Sequence, residues 1–190
     1  TANAYLDREE KTIIIEGQAI DSTDHQVVEV KGKVIPANKW WGLDIHCDSV
    51  DISLIDFWTH TFFSNPQGRA FGDLQVFGQE RKTWVTTAMF AKDVQLTIPQ
   101  IGATFYFSDS IYMDSTAIRI PQVNLRDAEG NRGVFSGEIT HTYFQNFQYD
   151  LNAQVDNLLA LNLPYNPQAM FYGRVYGTGN VNIKGDDYVC

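Results

Sequence analysis

The sequence predicts an all-β chain, a long antiparallel sheet curled along its length with its apolar face turned inward. Three observations predict it. Apolar and polar residues alternate with period two along most of the chain, with β-branched residues prominent. No stretch of about ten residues or more carries the 3.6-residue period of an amphipathic helix. One pattern is used twice, from Thr12 to Gly78 and again from Ala117 to Gly185, at a spacing of ~105 residues.

The first copy opens with Thr12-Ile13-Ile14-Ile15-Glu16 and Val27-Val28-Glu29-Val30-Lys31-Gly32-Lys33-Val34, read as two half-buried strands. Asp21-Ser22-Thr23-Asp24-His25 between them is turn chemistry, as is Asp127-Ala128-Glu129-Gly130-Asn131 at the matching place in the second copy. Ile13 and Ile15 answer to Ile118 and Ile120, Gly32 to Gly137, and Val34 to Ile139. Trp41, Leu43, Ile45 and Cys47 then share one face of a strand, matched to Phe147, Tyr149, Leu151 and Ala153 at a spacing one residue longer. The return to the shorter spacing at Val50-Asp51 and Val155-Asp156 implies a one-residue slip, a β-bulge. Asp56 to Ser64, with Phe57, Trp58, Phe62 and Phe63, fits either a short amphipathic helix or a loop laying rings over a sheet edge.

Gly68-Arg69-Ala70-Phe71-Gly72 with Val76 reads against Gly173-Arg174-Val175-Tyr176-Gly177 with Val181, so Gly72 and Gly177 are expected to be equivalent bending points. The linking stretch 79–116 adds four strand candidates, Trp84–Phe90, Val94–Ile98, Thr104–Phe107 and Ile111–Met113, with Gly102 and Asp109-Ser110 as turns. In all, roughly twelve to fourteen short strands joined by short turns are expected, a meander rather than a set of long crossovers. The whole of 1–190 reads as one continuous groove, cut from a longer protein, whose open edges invite strand addition and self-association.

Composition is that of an ordinary globular chain, 44% hydrophobic and 19% charged. The net charge of -9 argues against a nucleic-acid partner, which needs clustered Lys and Arg. No enzyme is expected: Ser115 and Ser136 lack a nucleophile elbow, no phosphate loop is present, and no cofactor signature appears. His25, His46, His60 and His141 have no ligand-like spacing, and Asp127 to Asn131 is too short for a calcium loop, so no metal is expected. Cys47 and Cys190 read as free thiols.

The second copy also resembles a known family. Gly137-Glu138-Ile139-Thr140-His141, Phe144-Gln145-Asn146-Phe147, Asp156-Asn157-Leu158-Leu159-Ala160-Leu161-Asn162 and Phe171-Tyr172-Gly173-Arg174-Val175-Tyr176-Gly177 look like the C-terminal region of TamB (translocation and assembly module) proteins of Bacteroides-type bacteria. Val94-Gln95-Leu96-Thr97-Ile98-Pro99 upstream is similar too. The resemblance implies a piece of an inner-membrane-anchored, AsmA-like protein that crosses the periplasm of a Gram-negative bacterium as a taco-shaped sheet. It also implies roles in phospholipid transport and outer-membrane protein assembly, with an outer-membrane barrel partner of the Omp85 type held through regions outside this chain.

On that expectation the aliphatic strand positions become a groove for phospholipid acyl chains: Ile13, Ile15, Leu43, Ile45, Leu74, Val76, Leu96, Ile98, Ile118, Ile120, Leu151, Val181 and Ile183. Thr178 is expected to point outward. Two rival readings share the strand content. One is a secreted β-sandwich that stacks carbohydrate on Trp40, Trp58, Tyr106 and Tyr112, and the other is a partner-docking β module working through its edges.

Overall fold

The computed structural model describes residues 1–22, 25–56, 63–143, 145–168 and 170–186. Its strands are β1 (Ala2–Asp7), β2 (Thr12–Ile20), β3 (Gln26–Ile35), β4 (Trp40–Asp51), β5 (Ser64–Gln79) and β6 (Lys82–Ile98). They continue as β7 (Ala103–Met113), β8 (Ala117–Asp127), β9 (Arg132–Thr142), β10 (Gln145–Leu163) and β11 (Gly173–Asp186). Short 3-10 turns at Pro36–Asn38 and Ile52–Ile55 interrupt them. All eleven strands form one antiparallel sheet whose spatial order is the sequence order, with β1 and β11 at its edges. The expected meander is therefore present, as one open sheet rather than two packed ones.

The strands are fewer and longer than the sequence suggested. Trp84–Phe90 and Val94–Ile98 belong to one strand, β6, broken in register against β7 between Ala91 and Val94. Thr104–Phe107 and Ile111–Met113 likewise belong to β7. Asp109-Ser110, which reads as a turn, lies inside β7 paired with Ala91 and Phe90, and the irregularity is a bulge in β6 at Lys92-Asp93. Asp93 takes a positive φ of 52° and its N–H donates to Ser108 Oγ at 2.8 Å, while the Asp109 carboxylate accepts the Ser110 N–H. Local hydrogen bonds thus satisfy the extra residue while the strand carries on. β1, whose pattern is weak, was missed; it pairs Tyr5 with Ile14 and Leu6 with Ile13.

The repeat is a five-strand unit, β1–β5 used again as β7–β11, with β6 between them. Leu6 pairs with Ile13 where Met113 pairs with Ile118, and Ile15 pairs with Gly32 where Ile120 pairs with Gly137. The first strands of each unit follow the spacing read from sequence, and later ones drift from it. Gly32 pairs with Leu43, and Gly137 with Leu151, so Leu43 corresponds to Leu151 rather than Tyr149. Cys47 pairs with Gly72, and Val155 with Gly179, so the bending glycine equivalent to Gly72 is Gly179, not Gly177. Their φ angles agree, at 133° and 146°. The slip expected between the copies is instead a bulge present in both, after Cys47 and after Val155, with Ser49 and Asn157 at φ 67° and 50°. The extra residues lie at the β9–β10 hairpin, where the strands run on past the length of β3 and β4 and β10 carries a register shift between Gln145 and Gln148, and they displaced the alignment.

Beyond that bulge each unit folds back over the sheet at the same rim. In the first, Ile52 of the 3-10 turn packs on Ala91 and Val94, with Ala70, Leu96 and Phe107 around them. In the second, β10 runs past the β8–β9 turn and reaches the β6–β7 turn, where Asn162 N–H donates to the Ile101 carbonyl at 2.8 Å. Here Ala103, Leu159, Val123 and Leu158 are buried, and a smaller buried set, Thr12, Ala117 and His141, lies at the opposite rim. Full burial is therefore found toward the strand ends, and most of the sheet is unstacked.

Candidate functional site: an apolar sheet face

Cross-strand partners share a face, so the register assigns every side chain to one side or the other. One row crosses the sheet as Gly17, Val30, Ile45, Leu74, Thr87, Met113, Ile118, Ile139 and Tyr149. A neighbouring row runs Ile15, Gly32, Leu43, Val76 and Val85, and its counterpart in the second unit runs Ile120, Gly137, Leu151 and Ile183. The bulge in β6 keeps Leu96 and Ile98 on this side, opposite Phe105 and Ala103.

Register thus places all thirteen expected groove residues on one face. Eleven of them, Ile13, Ile15, Leu43, Ile45, Leu74, Val76, Leu96, Ile98, Ile118, Ile120 and Leu151, are half-buried. Val181 and Ile183, next to the open edge, are 47% and 50% exposed. None is covered as a core residue would be. Asp109 and Asp127 break the apolar pattern near the rim.

Glycine keeps this face low. A Cβ on Gly32 would stand 2.5 Å from Leu43 Cδ2, and one on Gly137 would stand 2.8 Å from Leu151 Cδ2, so equivalent leucines lie across equivalent glycines. Trp41 lies over Gly78, where a Cβ would meet its indole at 2.6 Å, and Tyr149 lies over Gly185 in the second unit. Large side chains flattened across glycines leave room above them that upright ones would fill. The signal was in the sequence as strand glycines, but their partners depend on register.

The opposite face is polar. Gln75 donates to Asp44, Arg119 meets Asp114 and Glu138, and Lys184 reaches Asp150 at 2.8 Å. His46 Nδ1 lies 2.8 Å from Asp73, whose carboxylate raises the imidazole's pKa. His141, buried on the apolar side, is pushed the other way by desolvation. His25 sits beside Asp48, and His60 lies outside the described residues, as do Trp58 and Cys190. Of the aromatic platform expected from sequence, Tyr106 and Tyr112 are exposed on the polar face beside Arg126 and Arg119, while Trp40 lies flat over Gly42.

At the rim, Asp127 ties the fold-back together. Its carboxylate accepts from the N–H groups of Glu129, Asn131 and Leu159 and from Asn131 Nδ2, at 2.9 to 3.0 Å. Burial raises the pKa of this carboxyl, and those donors more than offset it, holding the group below the usual carboxylate range. With its oxygens engaged this way, Asp127 is a structural anchor, and the Thr178 hydroxyl acts similarly by accepting the Asn157 N–H at the bulge. Thr178 faces outward as expected, but it is part of the bend.

No helix among the described residues is long and apolar enough to cross a membrane. The chain matches no protein-family model, and neither curated proteins nor solved structures include a significant match to it.

Proposed function

We propose that the chain shields lipid acyl chains along its aliphatic face, as one segment of a periplasmic, inner-membrane-anchored protein serving outer-membrane biogenesis. One observation carries the reading: aliphatic side chains from nearly every strand share a face that no second layer covers. So much contiguous apolar surface calls for an occupant. An acyl chain suits it because the face is long, smooth and almost free of hydrogen-bonding groups. Burying sixteen methylenes at about 0.8 kcal/mol each is worth on the order of 10 kcal/mol, enough to hold a lipid tail out of water. The fold-back of β10 closes one rim, leaving head groups to solvent at the other. The sequence resemblance to TamB proteins supports the same reading and supplies the proposed compartment and the barrel partner.

The test is photo-crosslinking from Ile120 and Val181 in cells, joined to organic extraction and mass spectrometry of the purified chain. Phospholipid captured at both positions, and lost in Ile120→Asp or Val181→Asp, is the expected result, since a carboxylate among acyl chains is costly. Gln148→Asp on the polar face should change nothing; Gln148 is exposed there and is a cleaner control than Thr178. Crosslinks to protein alone would instead favour a partner-docking module.

A further inference from the structure

Arg126 and Arg132 pair directly across the β8–β9 hairpin on the polar face. Like charges opposite one another on neighbouring strands are destabilising. Yet among the described residues neither guanidinium has a carboxylate within ion-pair reach, in a chain whose net charge is -9. Asp156, the cross-strand partner of Arg132, makes no ion pair with it. Both arginines line an open cleft of about 740 Å³, whose other polar walls include Asn124, Gln154, Thr178 and Asn180. Elsewhere on this face Arg119 and Arg174 are satisfied by Asp114 and Glu129.

We infer that this cleft binds a phosphate group, gripped by the two guanidiniums with the amide side chains donating around it. Two planar forks facing one space suit the tetrahedral oxygens of a phosphate, and the anion would relieve their mutual repulsion. Asp156 also lines the cleft, and its carboxylate opposes the bound anion. The site lies on the face opposite the proposed acyl groove, so it stands or falls independently of that reading.

The experiment follows the arginine Nε–Hε resonances of the full chain by NMR while inorganic phosphate is added at constant ionic strength. Saturable shifts at Arg126 and Arg132 are expected, weakened about tenfold or more in Arg126→Gln and Arg132→Gln and unchanged in Arg81→Gln. Asp156→Asn should tighten binding. Shifts that chloride reproduces, or that survive either substitution, would overturn the proposal. A second arm uses vesicles of phosphatidylcholine with and without phosphatidic acid. Retention that needs phosphatidic acid and both arginines assigns the phosphate to a lipid head group, and phosphate binding without retention assigns it to a free ligand.

Discussion

The backbone N–H of Leu159 donates to Asp127 Oδ2 at 2.9 Å, joining residues 32 apart in sequence at the point where β10 leaves its partner strand and turns over the rim. Leu159 is only 2% exposed, so no water can replace the carboxylate. Asp127→Ala should cost about 2–3 kcal/mol in urea denaturation, because it orphans buried donors as well as removing bonds to a charged group. Loss below about 0.5 kcal/mol would show that the fold-back does not depend on this anchor.

The same carboxylate makes stability depend on acid. Its folded pKa lies below its unfolded value, so the stabilisation is complete above the unfolded value, about 4. It is lost as pH falls through the folded value. The advantage of wild type over Asp127→Asn in thermal melts should therefore be flat from neutral pH down to about 5 and shrink below about 4.

His46 moves the opposite way. The hydrogen bond that its ring donates to the Asp73 carboxylate is the largest cause of its raised pKa, partly opposed by desolvation. Its contribution to folding is thus present below the unfolded value of about 6.5 and fades as pH rises through the folded one. An NMR titration should place His46 above an unperturbed histidine, and Asp73→Asn should bring it back down. Unchanged titration in the variant would mean that the pair at 2.8 Å is not kept in solution.

Equivalent glycines should respond differently to alanine. At Gly32 the obstacle is Leu43 Cδ2, the end of a side chain that can change rotamer. At Gly137 the obstacle is the Asp150 carbonyl oxygen, 2.5 Å from the added Cβ, which moves only with the strand. Gly137→Ala should therefore lose about 1–3 kcal/mol and Gly32→Ala clearly less, measured by chemical denaturation.

These cases show which parts of the molecule were legible in sequence. Alternation around Ile13-Ile15 and Ile118-Ile120 revealed both the strands and their apolar side, because period two survives wherever one face is polar. The equivalence of Gly72 with Gly179 was not legible. Gly177 stands two residues away with the same parity and a better local match, and only cross-strand pairing with Val155 decides between them. Asp109-Ser110 reads as a turn in sequence because a strand can hold the same side-chain-to-backbone bond that a turn uses, here from Ser110 N–H to the Asp109 carboxylate. The paired arginines passed unnoticed since Arg126 and Arg132 flank what reads in sequence as an ordinary hairpin turn.

The two bending glycines offer a test of what lies beyond the open edge. Gly72 and Gly179 share a φ that other residues rarely adopt, so alanine should strain both by about 1–3 kcal/mol. In the sheet interior a Cβ on Gly72 also collides with the Ala88 carbonyl of β6, whereas one on Gly179 meets nothing, because β11 is an edge. In dilute monomer Gly72→Ala should therefore be the more damaging, as read by denaturation. An edge strand with exposed Val175, Val181 and Ile183 is also poised to accept another strand, so the chain should associate as its concentration rises. Were a strand to pair there as β6 pairs with β5, alanine at Gly179 would meet the same kind of backbone clash. Gly179→Ala should then weaken association in sedimentation experiments beyond what its φ strain costs the monomer, and association unaffected by Gly179→Ala and Val175→Lys alike would place the contact elsewhere.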